Sequence, residues 1–188
     1  MTELIRSAKS SNNWTSNELA AYNIVVEYQD AATFFGMPNL PQPTTINPAV
    51  LTTTDPDDAT DVSVYALLRM MDLALSPAPV EESAVDDFAV LLLHALGYSM
   101  RGRVLRTRKD IPLVICGKFR HAKIDVSVVN QNNILLLLVQ EDKQHMGHPD
   151  PEAQLIAEAI AAFTANNQTR QKTLNQLPLI PRSCLESL

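Results

Sequence analysis

Apolar and polar positions along the 188 residues change their period part-way through the chain. Over residues 16–35, Leu19, Tyr22, Ile24, Val26 and Phe34 recur in a mixed helical pattern, with Ser16 and Asn17 available as caps. Residues 36–60 contain Pro38, Pro41, Pro43, Pro48 and Pro56, which forbid a long element there. Helical spacing returns over 61–75 through Val62, Tyr65, Leu68, Met71 and Leu75, and Ser76-Pro77-Ala78-Pro79 then breaks it. The strongest helix spans 80–96, where Val85, Phe88, Ala89, Leu92 and Leu96 share a face. Four acids fall in its first two turns, where the helix dipole favours them, and Gly97 is a natural stop.

Beyond Gly97 the period becomes two. Val104-Leu105 predicts a short strand and 111–116 (IPLVIC) another, beginning near a proline. Ala122, Ile124, Val126 and Val128 alternate with Lys123, Asp125, Ser127 and Val129, the mark of a half-buried strand. Asn130-Gln131-Asn132-Asn133 predicts a tight turn, since Asn tolerates left-handed backbone. Residues 134–140 (ILLLLVQ) are apolar on both faces, which predicts a central strand. Asp150 then caps a helix with Pro151 at its first position, expected to run to about Asn166. Helix, two or three antiparallel strands, helix is an α/β architecture with a small mixed sheet. No proline lies between Pro79 and Pro112, so a core domain is expected over 80–188, behind a helical, proline-rich extension over 1–79.

Composition narrows the class. A hydrophobic fraction of 46% with 19% charged residues is globular rather than disordered, and 5% aromatics leave the core to aliphatic side chains. The five glycines are too dispersed for a Rossmann fingerprint or a Walker loop. The two cysteines, Cys116 and Cys184, make no disulfide framework. The N-terminus lacks an apolar signal core, and the longest apolar run, 134–139, is too short to span a bilayer. An intracellular protein, cytoplasmic or nuclear, with no membrane partner is expected.

Net charge is −6, yet it is unevenly spread. Nine acids against Arg69 give 55–87 a local −8, and eight bases against Asp110 give 101–123 a local +7. Two solvated faces that attract each other would account for this. A basic surface for an anion beside an acidic patch for a cation would account for it equally. In the second case Arg101, Arg103, Arg106 and Arg108 would hold a nucleic-acid backbone without reading its sequence.

Three residues carry the candidate chemistry. Asp125 lies mid-strand, while Glu141 and Lys143 follow the next strand and share one of its faces. If Ser127 and Val139 frame the turn, Asp125 comes beside Glu141. Two carboxylates suit Mg²⁺ or Mn²⁺, and a nearby ammonium can stabilise developing charge, as phosphodiester hydrolysis requires. The plainer alternative is that Glu141-Asp142-Lys143 only solvates a strand end.

Asp125, fifteen residues, then Glu141-x-Lys143, after an acidic helix, resembles the PD-(D/E)xK nuclease superfamily. More closely, the chain is similar to uncharacterised fungal proteins with a VQEDK strand and a PEAQLIAEAIAAF helix, over residues 16 to about 175. The resemblance implies a restriction-endonuclease-like core of helix, antiparallel strands and helix, with Asp125, Glu141 and Lys143 catalytic. It implies Asp125, Glu141 and Glu82 as ligands of Mg²⁺ or Mn²⁺, with Gln154 and Lys118 near the site. After 175 the chain departs from that pattern: further strands are implied, and only Leu177-Pro178-Leu179-Ile180 and a tail follow. Two functions stand side by side, a metal-dependent nuclease and a nuclease fold that only binds protein or nucleic acid.

Overall fold

The computed structural model describes residues 6–41, 46–76, 82–139 and 150–180. Two long strands dominate it. Strand β1 (Arg103–Ile115) and strand β2 (Lys118–Asn130) pair antiparallel along their lengths, from Arg103↔Asn130 to Ile115↔Lys118. The turn between them is Cys116-Gly117, with φ of 48° and 67°. Positive φ at both central residues matches the right-handed twist of the flanking strands. The sequence pattern had put Cys116 inside a strand, and the two short segments at 104–105 and 111–116 prove to be one.

Strand β3 (Leu135–Val139) pairs antiparallel with β2, and the sheet order is β1-β2-β3. Among the described residues the sheet is therefore wholly antiparallel, not mixed, and β2 is its central strand. β3 lies at an edge, although its apolar run had predicted the centre. The run has another cause: Leu135 and Leu138 join the core on one side of the sheet, Leu137 joins the core on the other, and Leu136 stays half-exposed at a bulge. The turn behaves as predicted, with Asn130 Oδ1 accepting from the Asn132 and Ile134 amides and Asn133 at φ 58°.

Six helices accompany the sheet among the described residues: α1 (Ser16–Ala21), α2 (Ala31–Phe35), α3 (Ala49–Thr52), α4 (Val62–Leu75), α5 (Glu82–Ala95) and α6 (Pro151–Lys172). The single helix expected over 16–35 is two short ones. Asn23 adopts φ 57°, the Ile24 amide bonds back to the Leu19 carbonyl, and the chain stays extended until Asp30 caps α2. The Ile24-Val25-Val26 run resists helix, so this closing bond wins. Helix α4 matches its prediction and packs on α5, which Gly97 ends at φ 76°. Helix α6 starts at the predicted cap, where Asp150 accepts from the Glu152 amide, but runs on past Asn166. Asn166 acts instead as a clamp: its side-chain amide makes two bonds of 2.8 Å, one to the Leu135 amide and one to its carbonyl, fixing β3 to α6.

Helices α5 and α6 lie on opposite sides of the sheet. Leu93, Ala89 and Val90 of α5 cluster with Leu105, Val126, Val128 and Leu137. Ala161, Ala162 and Ile160 of α6 cluster with Ile111, Leu113, Ala122, Ile124, Val129 and Leu135. Ile124 and Val126 have the same parity yet join different cores. The alternation of β2 therefore slips at Asp125, and that of β1 slips with it: the register between them is constant, Arg108 and Asp125 are absent from the paired ladder, and Arg108 takes φ 51°. The N-terminal segment closes the α6 side: a 3-10 turn (Ser11–Asn13) leads to Trp14, which is wholly buried, stacks on Tyr22 and packs with Ala153 and Ala157. No helix among the described residues is long and apolar enough to cross a membrane.

Candidate functional site

The slip in β2 sets the position of Asp125. It is half-buried, between the hairpin half that faces α6 and the half enclosed by both helices. Across from it on α6 stands Glu158, a residue the sequence reading missed. Glu158 is wholly buried. Its Oε1 accepts from Gln154 Nε2 at 3.0 Å and from Ser11 Oγ at 3.4 Å, whereas its Oε2 has no hydrogen-bond partner. Burial pushes the Glu158 carboxyl up to about 7, and the Asp125 charge adds to the rise against the two hydrogen bonds. A carboxyl this far above its usual range is a common mark of functional sites, and of buried ionic networks too. A signal was present in the sequence: Glu158 stands directly beside the stripe Ala153, Ala157, Ala161 that packs α6, one turn before Ala162 of the same buried face.

The predicted site residues fall into three groups. Asp125 and Gln154 come together around Glu158, with Gln154 as a donor from one turn earlier on α6. Lys118 does not join them. It opens β2 at the hairpin turn, roughly 23 Å along the strand from Asp125 at about 3.3 Å per residue. Glu141 and Lys143 lie outside the described residues, as does the side chain of Glu82, whose backbone opens α5. The expected frame of Ser127 with Val139 is off by one: Ser127 pairs with Leu138 and Val126 with Val139.

Asp125 and Glu158 offer hard carboxylate oxygens, one of them unpartnered, which is the donor chemistry Mg²⁺ and Mn²⁺ prefer. Among the described residues no group of three His, Cys, Asp or Glu side chains gathers to complete a shell. The arginines of the basic segment spread along β1 and the turn before it. Arg101, Arg106 and Arg108 are exposed, Arg103 is half-buried against the Met100 sulfur, and Arg108 reaches Asp86 of α5 at 4.0 Å. Comparison with known proteins gave no match to a family model, to a curated protein or to a solved structure.

Proposed function

We propose that the chain is a metal-dependent phosphodiesterase acting on nucleic acid, centred on Asp125, in a restriction-endonuclease-like core. The observation that carries this reading is the convergence of Asp125 with the buried Glu158 at the slip in β2. The order α5, β1, β2, β3, α6 is compatible with that core. Mg²⁺ or Mn²⁺ would neutralise charge on the phosphoryl group and acidify a water. Asp125 would hold the ion together with Glu141 and Glu82. Lys143, placed by the sequence two residues after Glu141, would set an ammonium against the charge that develops on the phosphate. Gln154 and Ser11 hold one Glu158 oxygen and leave the other for the site.

A second reading, a nuclease fold that only binds, draws on the exposed arginines Arg101, Arg106 and Arg108, which can grip phosphates without any chemistry. Cleavage of single- and double-stranded substrates with Mg²⁺ or Mn²⁺ separates the two. Wild type should cut, Asp125→Asn and Glu141→Ala should not, and Lys143→Ala should keep ion binding but lose rate. Cleavage that survives all three substitutions contradicts the assignment, and ion binding without cleavage by any form favours the second reading.

A further inference from the structure

The slip at Arg108 and Asp125 rearranges charge as well as packing. Strict alternation along β1 would put Arg106 and Lys109 on opposite faces of the sheet. The register puts them on one. Lys109 stands opposite Ile124, which is buried under α6, and Arg106 stands opposite Ser127, whose neighbours Val126 and Val128 meet α5. Arg106 and Lys109 are therefore successive residues on the α6 side of β1. Arg108, which lies between them in sequence, turns the other way and reaches Asp86 of α5 at 4.0 Å.

Among the described residues neither Arg106 nor Lys109 makes an ion pair. The acids nearest in register act elsewhere: the charge of Asp125 bears on Glu158, and Asp110 meets His121 at 3.0 Å. Arg106 is exposed and Lys109 half-buried, and burial together with the Arg106 charge holds the Lys109 ammonium below its ordinary range. A third donor comes from the turn between β2 and β3. Lys109 Nζ donates to Asn133 Oδ1 at 2.8 Å. An ammonium only donates, so the amide must turn its oxygen to Lys109 and keep its N–H₂ as a neutral donor beside the two cations. The turn fixes Asn133 at φ 58°, through the bonds that Asn130 Oδ1 accepts from the Asn132 and Ile134 amides.

Two neighbouring cations repel each other, and an anion set between them removes that cost. Three donors from two elements suit a group with oxygens in several directions, so a phosphate fits better than a flat carboxylate. The residues that Lys109 and Arg106 face, Ile124 and Ser127, lie on either side of Asp125, one strand spacing of about 4.8 Å away.

We propose that Arg106, Lys109 and the Asn133 amide form a binding site for a phosphate group, supplied by a nucleic-acid backbone as it crosses to Asp125. The choice of that source rests on the phosphodiesterase reading; phosphate binding itself needs neither metal nor cleavage. The site positions a neighbouring phosphate of the strand and leaves the chemistry to the carboxylates.

The test is inorganic phosphate titrated into the full chain in EDTA at constant ionic strength, followed by heteronuclear NMR of backbone and side-chain amides. The Asn133 side-chain amide and the backbone amides of Arg106 to Lys109 should shift and saturate, and acetate at equal ionic strength should leave them in place. Lys109→Met and Arg106→Met should each weaken phosphate binding about tenfold or more, the loss expected for one charge-assisted hydrogen bond. Asn133→Asp keeps an acceptor for Lys109 and tolerates the left-handed backbone, yet sets an anion against the phosphate, so it should abolish binding. Circular dichroism verifies that each variant is folded. Saturation by acetate as readily as by phosphate, wild-type affinity in Lys109→Met or in Asn133→Asp, or no saturable shift would each overturn the site. Competition identifies the source: an oligonucleotide that displaces phosphate from the wild type supports the backbone, and one that does not assigns the site to free phosphate. Phosphate binding without cleavage by any form leaves the site standing and removes the phosphodiesterase reading. Mn²⁺-dependent cleavage without any phosphate response does the reverse.

Discussion

The two halves of β2 look alike in sequence and live in different surroundings. From Phe119 to Ile124 exposed residues alternate with half-buried or buried ones, because α6 covers one face and nothing described covers the other. From Val126 to Val129 every residue is buried, because α5 and α6 enclose both faces. Asp125 sits at the junction, and the one-residue slip there changes which helix each parity meets. A half-buried strand can thus carry one open face and, a few residues on, a sheltered carboxyl pair on the α6 side.

Mutations can break this contrast at several levels. The largest effect should come from the enclosed side: Ile124→Ala leaves a cavity under α6 and should cost about 3 kcal/mol, read as a lower urea midpoint with unchanged slope. The buried carboxyl comes next. Because the folded value of Glu158 is raised from 4.5 to about 7, the protonated form favours folding. Its contribution is fully present below about pH 4.5 and lost as pH rises through 7, a change on the order of 3 kcal/mol. Glu158→Gln in metal-free buffer should remove that loss, so its stability relative to wild type should climb between pH 5 and 8. Parallel pH profiles would show that Glu158 is not protonated in the fold.

Smaller effects sharpen the picture. Asn166→Ala should cost about 1–2 kcal/mol, because it leaves the Leu135 amide and carbonyl without their clamp, and hydrogen exchange in β3 should rise with it. Val114→Ala, on the open face, should stay within about 0.5 kcal/mol of wild type. A large loss there would mean that the face is covered.

Much of the fold was legible because each signal had a local cause. Asp150 with Pro151 marked the start of α6, Gly97 the end of α5, and the Asn130–Asn133 run a turn, each confirmed by backbone angles or cap bonds. What escaped reading depended on partners far away in sequence. Whether 16–35 forms one helix was decided by the Asn23 bend and the bond from Ile24 to Leu19. Whether β3 is central or at an edge depends on the helices beside it, since apolar residues on both faces fit either place. Asn166 read as a helix end because its partner lies in β3. At the site, period two placed Asp125 on a strand, but could not reveal that the strand slips there. Glu158 passed unnoticed as one more polar residue on a helix, although its place beside the alanine stripe of α6 was the clue.

The most direct test of the central claim, that Asp125 anchors a divalent ion, is Mn²⁺ titration of the full chain followed by electron paramagnetic resonance at neutral pH. Wild type should bind Mn²⁺, Mg²⁺ should displace it, and Asp125→Asn should weaken binding by about tenfold or more, through loss of a charged oxygen ligand. Phe119→Ala, on the open face, should bind as wild type does. Equal Mn²⁺ affinity in wild type and Asp125→Asn, or no binding by either, would contradict the account.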